Sequence, residues 1–385
     1  MRAGLGSAAD APKLDVSRAR QYRRARLSIM VGSLLWGVFV DLHWMRKQRA
    51  RRLYSAAETV APRRMTTLAF FFVVTLIGWL AALPMATLRG WQVERHFGLT
   101  KQPLTGFFAE SVKSLAITLV VQPLALTGAW MVIRRWPRGW WLILSGLVVP
   151  ISVFFGMLAP VLLAPIFNRF RPLQDEDLVR RIRALSEKSG TTISGVMISD
   201  MSRQSEKPNA YFTGIGPTKR IVLSDTLIRD FSPEEIESVV AHELGHQVHG
   251  DIWRLVGLSG VLGFAGAWVL SRIAPVVVRR TSSMSGVRSV SEPAAFPAFA
   301  LVLTAVGFVL GPVGAAVSRS IERRTDAYAI SLTGNGSALA SALERLASAA
   351  LEDPAPPRWY VVLFGSHPPI GERIAAAEKL SAESW

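Results

Sequence analysis

The chain has 385 residues, half of them hydrophobic and only 19% charged, with no cysteine and a formal net charge of +16. Four charge-free runs (Met65–Leu88, Ser114–Ile133, Gly139–Asn168 and Pro293–Ser318) each supply the roughly 20 apolar residues that a helix needs to cross a bilayer. A soluble globular protein is excluded, as are a disulfide framework, a thiolate metal site and a cysteine nucleophile.

Residues 1–26 form a basic N-terminal segment with seven Lys or Arg and no apolar core of a removable signal peptide. Leu27–Val40 reads as a shorter span, with Leu42–Met45 available to extend it, or as a re-entrant or interfacial segment; with the next three runs it makes an N-terminal membrane region of about four spans over 27–168. A polar region follows at 169–253. Within it Asp175–Ser189 predicts a surface helix, and ISGVMISD (193–200), NAYFTGIG (209–216) and RIVLSD (220–225) predict short strands. GPTK (216–219) supplies the turn of a hairpin joining the last two. Leu255–Ser271, prolonged to Val278, pairs with Pro293–Ser318 as a two-span hairpin (254–318) around the Ser-rich loop Thr281–Glu292. A second polar region, 319–385, carries a helix over Ala338–Glu352. Six crossings put both polar regions on one side. Beside membrane spans, the basic excess suits anionic headgroups and not nucleic acid.

Ser232-Pro233-Glu234-Glu235 is a helix start, with an N-cap serine, proline at the first helical position and glutamate three residues after the cap. The helix carries His242, Glu243 and His246 as HELGH. Residues four apart share a helix face, so both imidazoles can bind one ion, and zinc suits neutral imidazole. Glu243, one residue past the first ligand, is placed to take a proton from water. With 6 His in 385 residues, about 0.004 chance matches to this pattern are expected. His249, three residues past His246, reads as an auxiliary ligand or as a surface residue.

Two histidines leave the site one protein ligand short. Past the two-span hairpin, SRSIERRTDAYA (318–329) sets Glu322 and Asp326 four apart on a helix. Glu322 is the expected third ligand, with Asp326 bonding a ligand histidine. Ion pairs with Arg319 or Arg323 are the competing reading of these two residues.

HELGH, two spans and then SRSIERRTDAYA resemble the type I CAAX prenyl endopeptidases, membrane gluzincins whose relatives include the bacterial protease HtpX. NAYFTGIGPTKRIVLSDTL (209–227) and SHPPIGER (366–373) are similar to further elements of that family. So are VERHFGLTKQ (93–102) and LAPIFNRFRPL (163–173), which belong to its CAAX branch. The resemblance implies one zinc ion held by His242, His246 and Glu322, with Glu243 as general base and Asp326 supporting a ligand. It also implies His367 and Arg373 near the substrate and developing oxyanion, and Asn209 and Tyr211 in the strand that holds the peptide. The chain departs from the family at Thr325, where alanine is usual, and in having six spans where the eukaryotic enzymes have seven.

The fold expected is a multi-pass α-helical membrane protein with a small α+β gluzincin-type protease domain assembled from the two polar regions. Its function would be zinc-dependent cleavage of extended peptides, membrane-associated or lipidated. Quality control of membrane proteins in the manner of HtpX is the alternative within that class. A transporter or a non-catalytic metal scaffold are the alternatives outside it, disfavoured by spans nearly free of ionisable residues and by an intact Glu243. The basic loops opposite the catalytic side would place that side outside the cell by the positive-inside rule. The resemblance and the basic N-terminus place it in the cytosol, which is the expectation adopted.

Overall fold

The structure, a computed structural model, describes residues 14–214 and 216–383, so the start of the basic N-terminal segment, with the expected absence of a signal peptide, lies outside the described residues. Helix α1 (Val16–Met45) leads into α2 (Arg49–Val60). Next, α3 (Thr66–Thr87) runs through a π turn at Leu88–Gln92 into α4 (Val93–His96). Then come α5 (Leu104–Arg135) and α6 (Trp140–Val153), which passes through a second π turn, Phe154–Leu158, into α7 (Ala159–Phe167). Each π turn begins four residues after a proline, Pro84 or Pro150. Proline lacks the N–H and crowds the preceding turn, so the helical ladder is locally rewound there.

The catalytic portion begins with β1 (Phe170–Pro172), α8 (Glu176–Lys188), β2 (Gly195–Ser199), β3 (Ala210–Thr213) and β4 (Arg220–Ser224). It continues through α9 (Asp225–Asp230) and α10 (Pro233–Val248). The hairpin of α11 (Asp251–Arg280) and α13 (Phe296–Thr333) follows, with the short α12 (Ser282–Ser285) in its loop. The chain ends with α14 (Gly336–Ala350), α15 (Arg358–Phe364) and α16 (Ile370–Glu383).

Among the described residues six helices are long and apolar enough to cross a membrane. The first is longer than its apolar stretch suggests, because Asp15 caps a helix that starts at Val16 and runs unbroken through the polar and apolar halves. Leu35, Phe39, Leu80, Leu124, Val261 and Val309 point outward from these helices, a surface that water would punish and lipid tails accept.

The membrane helices are tied at their non-catalytic end by an aromatic cluster. Phe70, Phe71, Trp130, Trp140 and Phe299 are buried together, with the Trp130 and Phe299 rings 5.0 Å apart. The expected loop Thr281–Glu292 is folded onto this cluster and contains the helical turn α12. Trp130 Nε1 donates to Glu292 O (3.0 Å) and Arg134 Nε to Ser291 O (3.1 Å).

The sheet has the order β1-β2-β4-β3; β2 and β4 are parallel and the other pairs antiparallel. All three predicted strands lie inside their predicted stretches, and β3 and β4 form the expected antiparallel pair. Strand β1 was not foreseen, since three residues carry no periodicity, and its Pro172 is tolerated on an edge. Behind the sheet, Ile182, Leu185, Ile221, Leu223, Ile236, Val240, Leu244 and Leu343 close one core that joins α8, α10 and α14. Each such side chain contributes about 1.5–3 kcal/mol by its burial.

Phe299→Ala removes an aromatic from the far-end cluster and is expected to cost about 3–5 kcal/mol. Thermal melting in detergent should fall, while the zinc content of the folded fraction stays at the wild-type level.

Candidate active site

Helix α10 starts with the full capping box: Ser232 Oγ accepts from Glu235 N (3.3 Å) and Glu235 Oε2 accepts from Ser232 N (2.8 Å). The other oxygen of Glu235 accepts from Arg345 Nε (2.8 Å) and Ser341 Oγ (2.5 Å) on α14, so the cap also docks the helix. Nearly three turns on from Glu235, α10 crosses α13 at Gly245. A Cβ there would lie 2.9 Å from Thr325 Cγ2 and 3.0 Å from Tyr328 Cδ1, so only glycine allows this approach. It brings Glu322 to the histidines.

His242 Nε2 and His246 Nε2 are 3.2 Å apart. The Glu322 carboxylate lies 3.4 Å from the first and 3.7 Å from the second. On their far sides the rings are held by carboxylates: His242 Nδ1 to Asp326 Oδ1 at 2.9 Å, His246 Nδ1 to Asp251 Oδ2 at 3.0 Å. Each of these carboxylates has its own arginine. Arg373 binds Asp326 through Nε (2.8 Å) and Nη2 (2.7 Å), and Arg324 pairs with Asp251. The two chains His242–Asp326–Arg373 and His246–Asp251–Arg324 thus set both rings with Nε2 facing inward.

Two inward imidazole nitrogens and the Glu322 carboxylate, whose Oε2 has no hydrogen-bond partner, form a donor set that fits a divalent cation. Burial alone would lower the pKa of His242, but the adjacent carboxylates of Asp326 and Glu322 outweigh it and lift the metal-free value to about 9. At neutral pH an entering metal therefore displaces a proton. Burial raises the pKa of Glu243 above the usual carboxylate value, against the pull of both histidines.

His367, from SHPPIGER, has Nε2 3.4 Å from Glu322 Oε1, and its Nδ1 is 3.0 Å from Ser366 Oγ. Desolvation lowers its pKa against the pull of Glu322, although the side chain is half exposed. It lines a cavity of about 320 Å³ with Tyr360, Phe364 and Glu352. Arg373 has two of its nitrogens on Asp326, with Nη2 3.7 Å from Glu322 Oε2. Asn209 and Tyr211 lie at the edge strand β3 beside α10, with Tyr211 opposite Val222. His249 is not in the ligand group; its ring packs on Tyr328 at 5.3 Å. Nor do Arg319 and Arg323 claim the carboxylates, since Arg319 donates to Val361 O and Gly365 O and Arg323 pairs with Glu372.

Asp251 and Arg324 were missed from the sequence. The signal lay in HELGHQVHGD: Gly250, at φ +63, ends α10 in the left-handed region and turns Asp251 back under His246.

A helical membrane domain joined to an α+β domain that converges two histidines and a glutamate defines a membrane metallopeptidase. Residues 172–381 match peptidase family M48, and residues 8–169 match the CAAX prenyl protease N-terminal region, described as five membrane helices. The chain belongs to peptidase family M48 and is a metalloendopeptidase of the membrane. Four of the six spans fall in the part matching the N-terminal region. The chain is 33% identical over 333 residues to the uncharacterized metalloprotease YhfN of Bacillus subtilis, covering 86% of this chain and 78% of that protein. It is 26% identical to CAAX prenyl protease 1 of Saccharomyces cerevisiae, over 94% of this chain and 86% of that one. The crystal structure of S. mikatae Ste24p superposes with a TM-score of 0.84 at 25% identity, covering 97% and 92% of the two chains. Membership of a peptidase family removes the transporter and scaffold readings.

Asp251→Asn keeps the shape of the residue but weakens its hold on His246, and should lower zinc affinity about 10–100-fold. Competition with a chelator on the folded, metal-stripped protein measures it; an unchanged affinity would show that Asp251 serves α11 and not the ligand.

Proposed function

We propose that this metallopeptidase cuts extended peptides presented at the membrane, lipidated CAAX-like C-termini among them, with Glu243 as the general base. The observation that carries the reading is the inward-facing set of His242, His246 and Glu322, one residue from Glu243 and beside the edge strand β3. The match of residues 8–169 to the CAAX prenyl protease N-terminal region supports the CAAX branch over quality control of the HtpX kind.

His242, His246 and Glu322 would hold zinc, which when bound supplies a Lewis acid and lowers the pKa of water at the site. The remaining chemistry belongs to the chain. The peptide adds to β3 through its backbone, across Asn209 and Tyr211, so its carbonyls are presented in extended register. Glu243 takes the proton of the attacking water and returns it to the leaving amine. His367, with Nδ1 turned to Ser366, offers Nε2–H to the carbonyl oxygen as it gains charge. Arg373 acts through Asp326, holding it ionised against His242. The resemblance and the basic N-terminal segment support a cytosolic catalytic face.

Wild type and Glu243→Gln, purified in detergent, are to be compared on an unstructured reporter peptide and its lipidated counterpart. Cleavage should fall about 10²–10⁴-fold with zinc retained; a mutant that cuts at the wild-type rate removes Glu243 as base.

For sidedness, the opposite loop offers Ser283, which is exposed, whereas the neighbouring Ser285 is buried. In this cysteine-free chain, Ser283→Cys should react with an impermeant thiol reagent added outside intact cells. Labelling only after lysis would put the catalytic face outside.

A further inference from the structure

The segment VERHFGLTKQ (93–102) takes no part in the chemistry above, yet it makes a dense set of contacts with one stretch of the catalytic portion. Glu94, at α4, is buried. Its Oε1 accepts from Tyr22 Oη (2.5 Å) and Arg26 Nη1 (2.9 Å), and its Oε2 pairs with Lys207 Nζ at 2.7 Å. Alongside, Glu206 N donates to Leu99 O (3.0 Å), Thr100 Oγ1 donates to Gln204 O (2.8 Å) and Lys101 pairs with Glu206 at 3.2 Å. Phe97 and Leu99 are buried against Tyr22 and Leu351, which fixes the loop that makes these bonds. Residues 204–207 are thereby held by the membrane region through both backbone and charge.

Those residues lead directly into the edge strand. After Lys207 and Pro208, Asn209 exchanges two bonds with Ser224: its N–H donates to Oγ (2.9 Å) and its carbonyl accepts from Ser224 N (2.8 Å). Strand β3 then runs from Ala210 to Thr213. Its inner side is set by β4, but a four-residue strand at a sheet edge is a weak determinant of its own position. An anchor immediately before it supplies what the short ladder lacks.

We infer that the Glu94-centred clamp is a positioning device for β3: the membrane region fixes the height of the edge strand against His242, His246 and Glu322, and so sets which peptide bond of a substrate meets them. This rests on the reading of β3 as the substrate strand. Glu94 is buried away from the ligands and acts through Lys207 and Asn209; Lys207 also lines the cavity that His367 lines, so the exchange of β3, and not KM alone, reports the positioning role. Removing the charge of Glu94 strands Lys207 and Arg26 without an anion, while Lys207→Gln breaks the same link from its more exposed partner.

The test compares wild type with Glu94→Gln, Lys207→Gln and Lys207→Arg in detergent, using folded protein of equal zinc content. Hydrogen exchange on the Glu243→Gln background should show faster exchange of β3 amides in Glu94→Gln and Lys207→Gln, with β2 unchanged and Lys207→Arg near wild type. On a long unstructured peptide, the first two variants should raise KM about tenfold or more, keep kcat within about threefold and spread cleavage to neighbouring bonds seen by mass spectrometry. Unaltered β3 exchange overturns the clamp, and so does a loosened β3 with KM and cleavage position unchanged. If the wild type cuts no peptide, the proposed function is what fails, and exchange alone decides the clamp. Should Glu94→Gln not fold, Lys207→Gln carries both measurements.

Discussion

The ligand set depends on one close helix crossing. Helix α10 supplies two histidines and α13 the glutamate, and the two meet where Gly245 leaves room for Thr325 and Tyr328. A Cβ at Gly245 would force Thr325 or Tyr328 to shift on the helix that carries Glu322. The glycine of HELGH therefore supports the proposed metal site, although it offers no ligand. Thr325, which departs from the alanine of the resemblance, fits this crossing: its Oγ1 is satisfied by Ile321 O within α13, so the larger residue leaves no stranded hydroxyl.

Around that crossing, the protein assembles several ionisable groups in a confined space and backs both histidines with opposite charge. Each ligand histidine has a carboxylate behind it, and each carboxylate an arginine. Leaving one member of a buried pair alone costs about 3–5 kcal/mol, so these chains hold one another in place and the orientation of the imidazoles follows. A further network at Tyr22, Arg26, Glu94 and Lys207 uses the same device between α1, α4 and the approach to β3. The N-terminal basic residues that suggested a headgroup anchor are partly spent here and on Asp353, which Arg23 pairs at 2.8 Å.

Much of this was legible in the sequence because the signals were local or topological. The capping box and HELGH lie in one helix, where spacing alone fixes the face. Glu322 was reachable by counting crossings, since two spans return the chain to the side it left. The spans themselves follow from length and composition. What escaped depends on turns and on contacts between distant segments. Asp251 is invisible to a helical-spacing argument because it lies beyond the left-handed Gly250, in the next helix. Arg324 and Arg373 find their carboxylates only once α11, α13 and α16 are placed. Strand β1 is too short to show a period, the π turn after Pro150 reads in sequence as uninterrupted apolar helix, and the one at Leu88–Gln92 lies past the end of its charge-free run. Ser285 looked like part of an open serine-rich loop, but that loop is folded onto the far-end aromatics.

The order of the ligands along the chain has a consequence for biosynthesis. His242, Glu243 and His246 are complete when the ribosome has finished α10, but Glu322 follows some 76 residues later, after α11 and most of α13. At about 5–20 residues per second that interval is several seconds. Throughout it the nascent chain carries the proposed base and two proposed ligands without the third. Glu322 reaches them only when the intervening hairpin has brought α13 back beside α10. On that reading, assembly of the metal site waits on insertion of the last two spans, and a chain without them lacks one ligand.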